Sequence, residues 1–97
     1  MKNVIYSISL AALIAASGAV AQDIDTIAIL TPEAGTDFGW NQQGVDAAKA
    51  AAAATGVKIV IADGLGYGDV RAPMRELAAE GVDLMIAHAS GYNTAGP

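Results

Sequence analysis

The sequence predicts an α/β protein in which parallel strands alternate with helices. Three short runs of β-branched and aliphatic residues follow one another along the chain, and two helical patterns lie between them. Strands that alternate with helices in this way form a parallel sheet with right-handed crossovers. The near-continuous apolarity of each run indicates a strand buried on both faces. We therefore predict the β-α-β-α-β opening of a doubly wound parallel sheet.

The first three elements follow from composition and from one glycine. A strand is predicted at residues 26–30, where the sequence reads Thr-Ile-Ala-Ile-Leu. An alanine-rich helix is predicted at residues 40–55 and ends before Gly56, because alanine favours helix and glycine commonly follows a helix end. The second strand is predicted at residues 57–62, where aliphatic residues return.

The second helix has a clear end and two possible starts. It ends at Glu80, just before a glycine. Asp69 is a candidate cap for its first turn, whereas Pro73 prefers the first helical position and moves the predicted start to about Ala72. The third strand is predicted at residues 82–87, which are again largely aliphatic.

The length of the chain allows one domain at most. It has 97 residues, and domains commonly hold about 100 to 150. No helix is predicted after the third strand, so one sheet face would stay uncovered and one edge unpaired, which complete domains usually avoid. We therefore interpret residues 22–97 as the incomplete first part of a larger α/β domain.

Charge and cysteine content exclude several classes of function. The chain has 5 Lys and Arg against 10 Asp and Glu, a formal net charge of −5. This acidity argues against binding to nucleic acid and to anionic membrane surfaces, which both need a basic patch. The chain has no cysteine, so disulfides, thiolate metal sites, thiol nucleophiles and a lipid anchor on cysteine are all excluded.

Residues 1–21 have the pattern of a signal peptide. A lysine near the start is followed by an apolar run and then by an A-x-A pattern that ends at Ala21. We expect cleavage after Ala21, a mature chain that begins at Gln22, and no membrane insertion of that chain. The alternative is a membrane anchor over residues 4–21, but the acidic Asp23 just beyond it fits a cleavage site better.

The loop after the first predicted strand is the most informative about function. In an open α/β sheet, ligands bind beyond the carboxyl ends of the strands, and this loop places Asp37, Phe38, Trp40 and Asn41 there. An aromatic ring offers a face for stacking, and Asp37 and Asn41 offer hydrogen-bonding groups. The alternatives are that Asp37 only caps the helix and that Trp40 packs under the loop.

The loop after the second strand does not predict a cofactor site. Residues 63–69 are rich in glycine, follow a strand and precede a helix. Asp69, however, occupies the third glycine position of the dinucleotide fingerprint, and the fingerprint belongs after the first strand of such a unit. We therefore expect no bound cofactor.

The loop after the third strand does not predict an enzyme or a metal site. Ser90 lacks the flanking glycines of a nucleophile elbow, and His88 has no second metal-type ligand at a suitable spacing. His88 is more simply explained as a hydrogen-bonded structural residue. Ser90, Gly91 and Tyr92 are candidate ligand contacts, because they follow the strand where a ligand in the crevice would be met.

Taken together, these motifs resemble the amino-terminal part of the basic membrane protein family. The resemblance is carried by an exported start, by residues 37–41 at the opening of a helix, by a glycine-rich turn after the second strand, and by residues 77–86 leading into residues 90–92. Members of that family are substrate-binding proteins of ABC transporters with a two-lobed, type I periplasmic-binding fold. The resemblance implies that residues 22–97 are an incomplete N-terminal lobe, the first of the two.

The resemblance also implies a function that the residues alone do not. It implies capture of a small polar solute, such as a purine nucleoside, in the periplasm, and delivery to an ABC transporter permease. Trp40 would stack a base, and Asp37 and Asn41 would bond polar groups. Trp40 stands where nucleoside binders more usually have phenylalanine, and Ala21 precedes Gln22 where many members have a lipid-bearing cysteine. The alternative is an exported enzyme or ligand sensor with the same fold.

Overall fold

The computed structural model describes residues 23–96, so the predicted signal peptide and its cleavage site lie outside the described residues. The described chain alternates strands and helices as expected. Its elements, in chain order, are β1 (Thr26–Leu30), α1 (Trp40–Thr55), β2 (Lys58–Ala62), α2 (Arg71–Ala79), β3 (Leu84–Ala87) and a 3₁₀ turn (Ser90–Tyr92).

The boundaries of β1 and α1 match the predicted ranges. Gly56 ends α1 in the left-handed conformation, with φ 78°, and its N–H donates to the carbonyl of Ala52 at 2.8 Å. The helix α2 begins at Arg71, one residue before the position that the proline indicated. Asp69 accepts a hydrogen bond from the Arg71 N–H at 2.9 Å, so the candidate cap does stabilise this helix start.

The three strands form one parallel sheet in the order β2-β1-β3. The helices cover opposite faces of this sheet. On one face, Val45 and Ala48 of α1 pack with Ile29 of β1. On the other face, Leu77 of α2 packs with Leu30. The predicted α/β class with a parallel sheet is therefore confirmed. The expectation that one sheet face stays uncovered is wrong, because one helix packs on each face.

The strand β3 departs from the expected burial. Leu84 and Ile86 pair in register with Ile27 and Ile29, and parallel register partners point to the same face, which here is the face of α1. Leu84 is nevertheless 46% exposed and Ile86 37% exposed, whereas β1 is buried along most of its length. The prediction of burial on both faces holds for β1. It is wrong for β2, which has no fully buried residue, and for β3, because α1 packs mainly on β1 and β2.

We expect residues 22–97, prepared as a separate segment, to be marginally stable and to self-associate through β3. This strand is a sheet edge with no lysine or proline to prevent pairing, whereas the opposite edge strand begins with the exposed Lys58. A domain this small buries only about 60% of its unfolded surface. Sedimentation velocity should show oligomers, and Ile86→Lys should shift them toward monomer.

The control for this prediction is Ile24→Lys, which changes an exposed isoleucine before β1 in the same way. It should leave the association unchanged. A monomeric segment with a sharp, cooperative denaturant transition would contradict the prediction.

The order of the strands determines where the candidate site lies. The chain leaves β1 toward β2 and later returns across β1 to β3, so the direction of winding reverses between β1 and β3. The crevice beyond the carboxyl ends of two such strands is where open α/β sheets bind ligands. Here that position lies between the loop that follows β1 and the loop that begins at His88.

Candidate functional site

Trp40 and His88 form a stacked pair at this crevice. Trp40 is the first residue of α1, and His88 follows β3 directly. Their ring centroids lie 4.5 Å apart with an interplanar angle of 7°. The indole Nε1–H donates to the carbonyl of His88 at 3.3 Å, and His88 Nε2 lies 2.9 Å from the carbonyl oxygen of Trp40. The indole is therefore held by the stacking contact and by its own hydrogen bond, and the second polar contact holds the His88 ring against the Trp40 backbone.

Gly44 provides the space for the imidazole. It is buried on α1, one turn after Trp40, and a Cβ at this position would lie 2.4 Å from His88 Cδ2 and 2.5 Å from Nε2. Real Cβ atoms do not approach side-chain atoms so closely, so only glycine allows α1 and β3 to come together here. His88 is thus a hydrogen-bonded structural residue, as the sequence suggested.

One face of Trp40 remains available to a ligand. The residue is 62% exposed although its other face stacks on His88. The alternative that Trp40 packs under the loop therefore does not describe its position. The indole presents a fixed, open aromatic face at the carboxyl edge of the sheet, and the role of that face as a ligand contact stays a prediction.

Asp37 organises the start of α1. Its Oδ1 accepts hydrogen bonds from the N–H groups of Gly39 at 2.9 Å and of Gln42 at 3.0 Å, and its Oδ2 accepts one from Asn41 Nδ2 at 2.7 Å. The side-chain bond from Asn41 and the two backbone bonds lower the pKa of Asp37 to about 2. Asp37 therefore stabilises the helix start although Gly39 is the N-cap residue, and the role of its exposed carboxylate as a ligand contact stays a prediction.

We expect the stabilising effect of Asp37 to disappear in acid. Its folded pKa of about 2 lies below the ordinary aspartate value of 3.8, so its contribution is complete above about pH 4 and is lost as the pH falls toward 2. The difference in the free energy of unfolding between the parent protein and Asp37→Asn should shrink over that interval. Thermal unfolding at a series of pH values measures it.

This titration needs a background without Asp69. The hydrogen-bonded ion pair with Arg71, at 2.8 Å, also lowers the pKa of Asp69 to about 2, so both carboxylates lose their charge over the same interval. The comparison is therefore made in an Asp69→Asn background. A difference that stays constant from pH 5 to pH 2 would contradict the assigned role of Asp37.

Asn41 is buried and holds the loop together. Its amide nitrogen donates to Asp37, and its Oδ1 accepts from the N–H of Glu33 at 3.4 Å. Both ends of the side chain are therefore engaged inside the protein. Asn41 lies in the first turn of α1, where it positions the loop.

The remaining predicted contacts lie on the 3₁₀ turn after β3. Ser90 and Gly91 are exposed there. Tyr92, in contrast, is buried in the core on the face of α2, and its hydroxyl donates to the carbonyl of Gly66 at 2.6 Å. Burial raises the pKa of this hydroxyl. The structure therefore brings Trp40 and Asp37 together at the start of α1, and it places Tyr92 in the core, linked to the glycine-rich loop.

Two further aromatic residues near the crevice are exposed, and one of them, Phe38, is the second aromatic residue of the loop after β1. Phe38 is 93% exposed and has φ 57°, and Tyr67 is also exposed. The neighbouring Glu33 carboxylate, by hydrogen bonding and by its charge, raises the pKa of the Tyr67 hydroxyl. The sequence does not predict how exposed these two side chains are, because exposure in a loop depends on the folded backbone.

Hydrolytic and metal chemistry find no support in this geometry. His88 Nε2 faces the carbonyl of Trp40, so it is not directed at the Ser90 hydroxyl. Across residues 23–96, no three His, Cys, Asp or Glu side chains come together at a spacing suited to a metal ion. In the same span, no helix is both long and apolar enough to cross a bilayer.

Comparison with known proteins gives no family assignment. No protein-family model matches the chain, and neither the curated proteins nor the solved structures include a match to it.

Proposed function

We propose that this protein is an extracytoplasmic solute-binding protein that captures a small polar solute, such as a purine nucleoside, for an ABC importer. The observation that carries the proposal is the open face of Trp40, which His88 holds in place at the reversal point of the sheet. A fixed aromatic face suits a planar ring, because little conformational entropy is lost when the ring stacks on it.

The charges around the crevice favour a ligand without phosphate. The loops after β1 and β2 carry the carboxylates of Glu33, Asp37, Asp63 and Asp69. Arg71 is the nearest cation along the chain, and it already forms an ion pair with Asp69. A phosphorylated ligand would meet like charge from these four carboxylates. An uncharged nucleoside avoids this repulsion.

The open shape of the site supports a two-lobed arrangement. Residues 23–96 contain no enclosed pocket. Ligand sites usually bury most of the ligand surface, so a solute on Trp40 needs a second surface to cover it. We propose that a second lobe supplies this surface and that the ligand favours the closed form through its greater affinity for it. Delivery to a permease in the periplasm is part of the same proposal and rests on the family resemblance.

Titration calorimetry on the full-length protein tests the proposal. A panel of purine nucleosides is compared with the corresponding 5′-monophosphates under identical salt conditions. We expect a nucleoside to bind and its monophosphate to bind about tenfold more weakly, which corresponds to about 1.4 kcal/mol. No heat of binding with any nucleoside would remove this ligand class, and preference for the monophosphate would contradict the charge argument.

Cellular location is tested independently of the ligand. Mass spectrometry of the periplasmic fraction should find a chain that begins at Gln22. Recovery of the uncleaved chain in the membrane fraction would support the anchor alternative and argue against a free periplasmic binding protein.

A further inference from the structure

We propose that Phe38 is a second aromatic contact for the planar ligand, a role that rests on the proposed binding function. Its side chain is 93% exposed, so its ring contacts almost nothing else among the described residues. A single exposed apolar residue is common on protein surfaces and needs no explanation by itself. Phe38 differs from such a residue in its backbone conformation and in its position two residues before Trp40.

The backbone of Phe38 is in a conformation that glycine normally supplies. Its φ of 57° lies in the left-handed region, which is sterically unfavourable for a bulky side chain. Every other positive φ in residues 23–96 belongs to a glycine, at positions 56, 64, 66 and 81. A phenylalanine at this one position destabilises the loop locally, and its exposed ring makes no packing contact that would offset the cost.

Hydrogen bonds hold Phe38 in this conformation. Its N–H donates to Gln42 Oε1 at 2.8 Å, and the next N–H, of Gly39, donates to Asp37 Oδ1 at 2.9 Å. Both acceptors belong to the network that begins α1. The loop is thus fixed on both sides of Phe38, and the ring is kept in solvent.

The position of Phe38 relative to Trp40 suits two-sided contact with one ring. Two residues of extended chain separate their Cα atoms by at most about 7 Å. A planar group between two aromatic rings needs a similar distance, since carbon atoms in contact lie about 3.5 Å apart on each side. The two rings are not stacked on each other, because Phe38 is 93% exposed. The proposal places a solute between the open face of Trp40 and the Phe38 ring.

The test compares variants that separate the ring from the backbone strain. Phe38→Asn removes the ring, and asparagine tolerates the left-handed conformation. We expect its affinity for the nucleoside to fall about tenfold while its melting temperature stays the same or rises. Phe38→Tyr keeps the ring and should keep the affinity within about threefold. Calorimetry and thermal melts are run on the same samples of the full-length protein.

The matched control puts a side chain on another residue that has a left-handed backbone conformation. Gly64 has φ 67° and open space around it, so Gly64→Ala places a side chain in a left-handed conformation without a clash. It should lower the melting temperature and leave affinity unchanged. Unchanged affinity in Phe38→Asn, or a fall in its melting temperature, would overturn the proposal for Phe38 alone. Absence of nucleoside binding in the unmutated protein would overturn the proposed function and this inference with it.

Discussion

Replacing Trp40 by alanine should weaken nucleoside binding by about thirtyfold in the full-length protein. An aromatic pair contributes about 0.5–1.5 kcal/mol beyond the burial of its surface, and losing the contact area as well brings the cost to about 2 kcal/mol. At 1.4 kcal/mol for each tenfold change, this is a factor of about thirty in the dissociation constant. Titration calorimetry measures the affinity, and a thermal melt of the same sample measures stability.

Two control variants distinguish a ligand contact from a packing role. Trp40→Phe keeps an aromatic face and should retain most of the affinity. His88→Ala removes the partner that holds the indole but leaves the indole itself, so its effect on affinity should be smaller than that of Trp40→Ala. Unchanged affinity with reduced stability in Trp40→Ala would remove Trp40 from the site.

Gly44→Ala should destabilise the protein by about 1–3 kcal/mol, the usual cost of overpacking a well-filled site. The direction of this change is informative, because replacing glycine by alanine within a helix normally stabilises the protein by up to about 1 kcal/mol. Here the added Cβ would lie 2.4 Å from the His88 ring, so the ring must leave its place between α1 and β3. Denaturant unfolding of the full-length protein measures the change.

A double-mutant cycle with His88→Ala attributes this loss to the imidazole. With the ring removed, the clash disappears, and Gly44→Ala should then be neutral or stabilising. Ala50→Gly, at an exposed position of the same helix, should cost about 1 kcal/mol by propensity alone and provides the scale for comparison. Stabilisation by Gly44→Ala in the parent protein would contradict the described packing of α1 against His88.

Local signals in the sequence were sufficient for the order of the elements. The aliphatic run of β1 and the glycine after α1 gave boundaries that the structure reproduces. The third strand begins at Leu84, two residues later than predicted, although the Asp83 N–H still donates to the Thr26 carbonyl at 2.9 Å. The Asp83 carboxylate also accepts hydrogen bonds from the N–H groups of Asp25 and Thr26, at 2.9 and 3.0 Å, where β1 begins. This contact between Asp83 and the start of β1 could not be predicted from the sequence, because it depends on which strand lies beside β3.

The local contacts of the candidate site were predictable from the sequence, and its long-range contacts were not. Asp37 and Asn41 are four residues apart at a helix start, so their contact is local, and the capping alternative described it. The stack of Trp40 on His88 joins residues 48 positions apart. It depends on the sheet order and on the missing side chain of Gly44, neither of which is visible in a local pattern. Tyr92 follows a strand as a ligand contact would, but the 3₁₀ turn places it in the core.

The stacked pair at the crevice also gives the protein an internal optical reporter. Residues 1–97 contain a single tryptophan, so emission from this part of the protein, excited on the long-wavelength side of the tyrosine absorption, comes from Trp40 alone. Its ring touches His88 on one side and solvent on the other, so the spectrum responds to whatever replaces that solvent. Occupation of the crevice can therefore be followed on unlabelled protein, from a fluorophore that lies at the place where the solute is expected to bind.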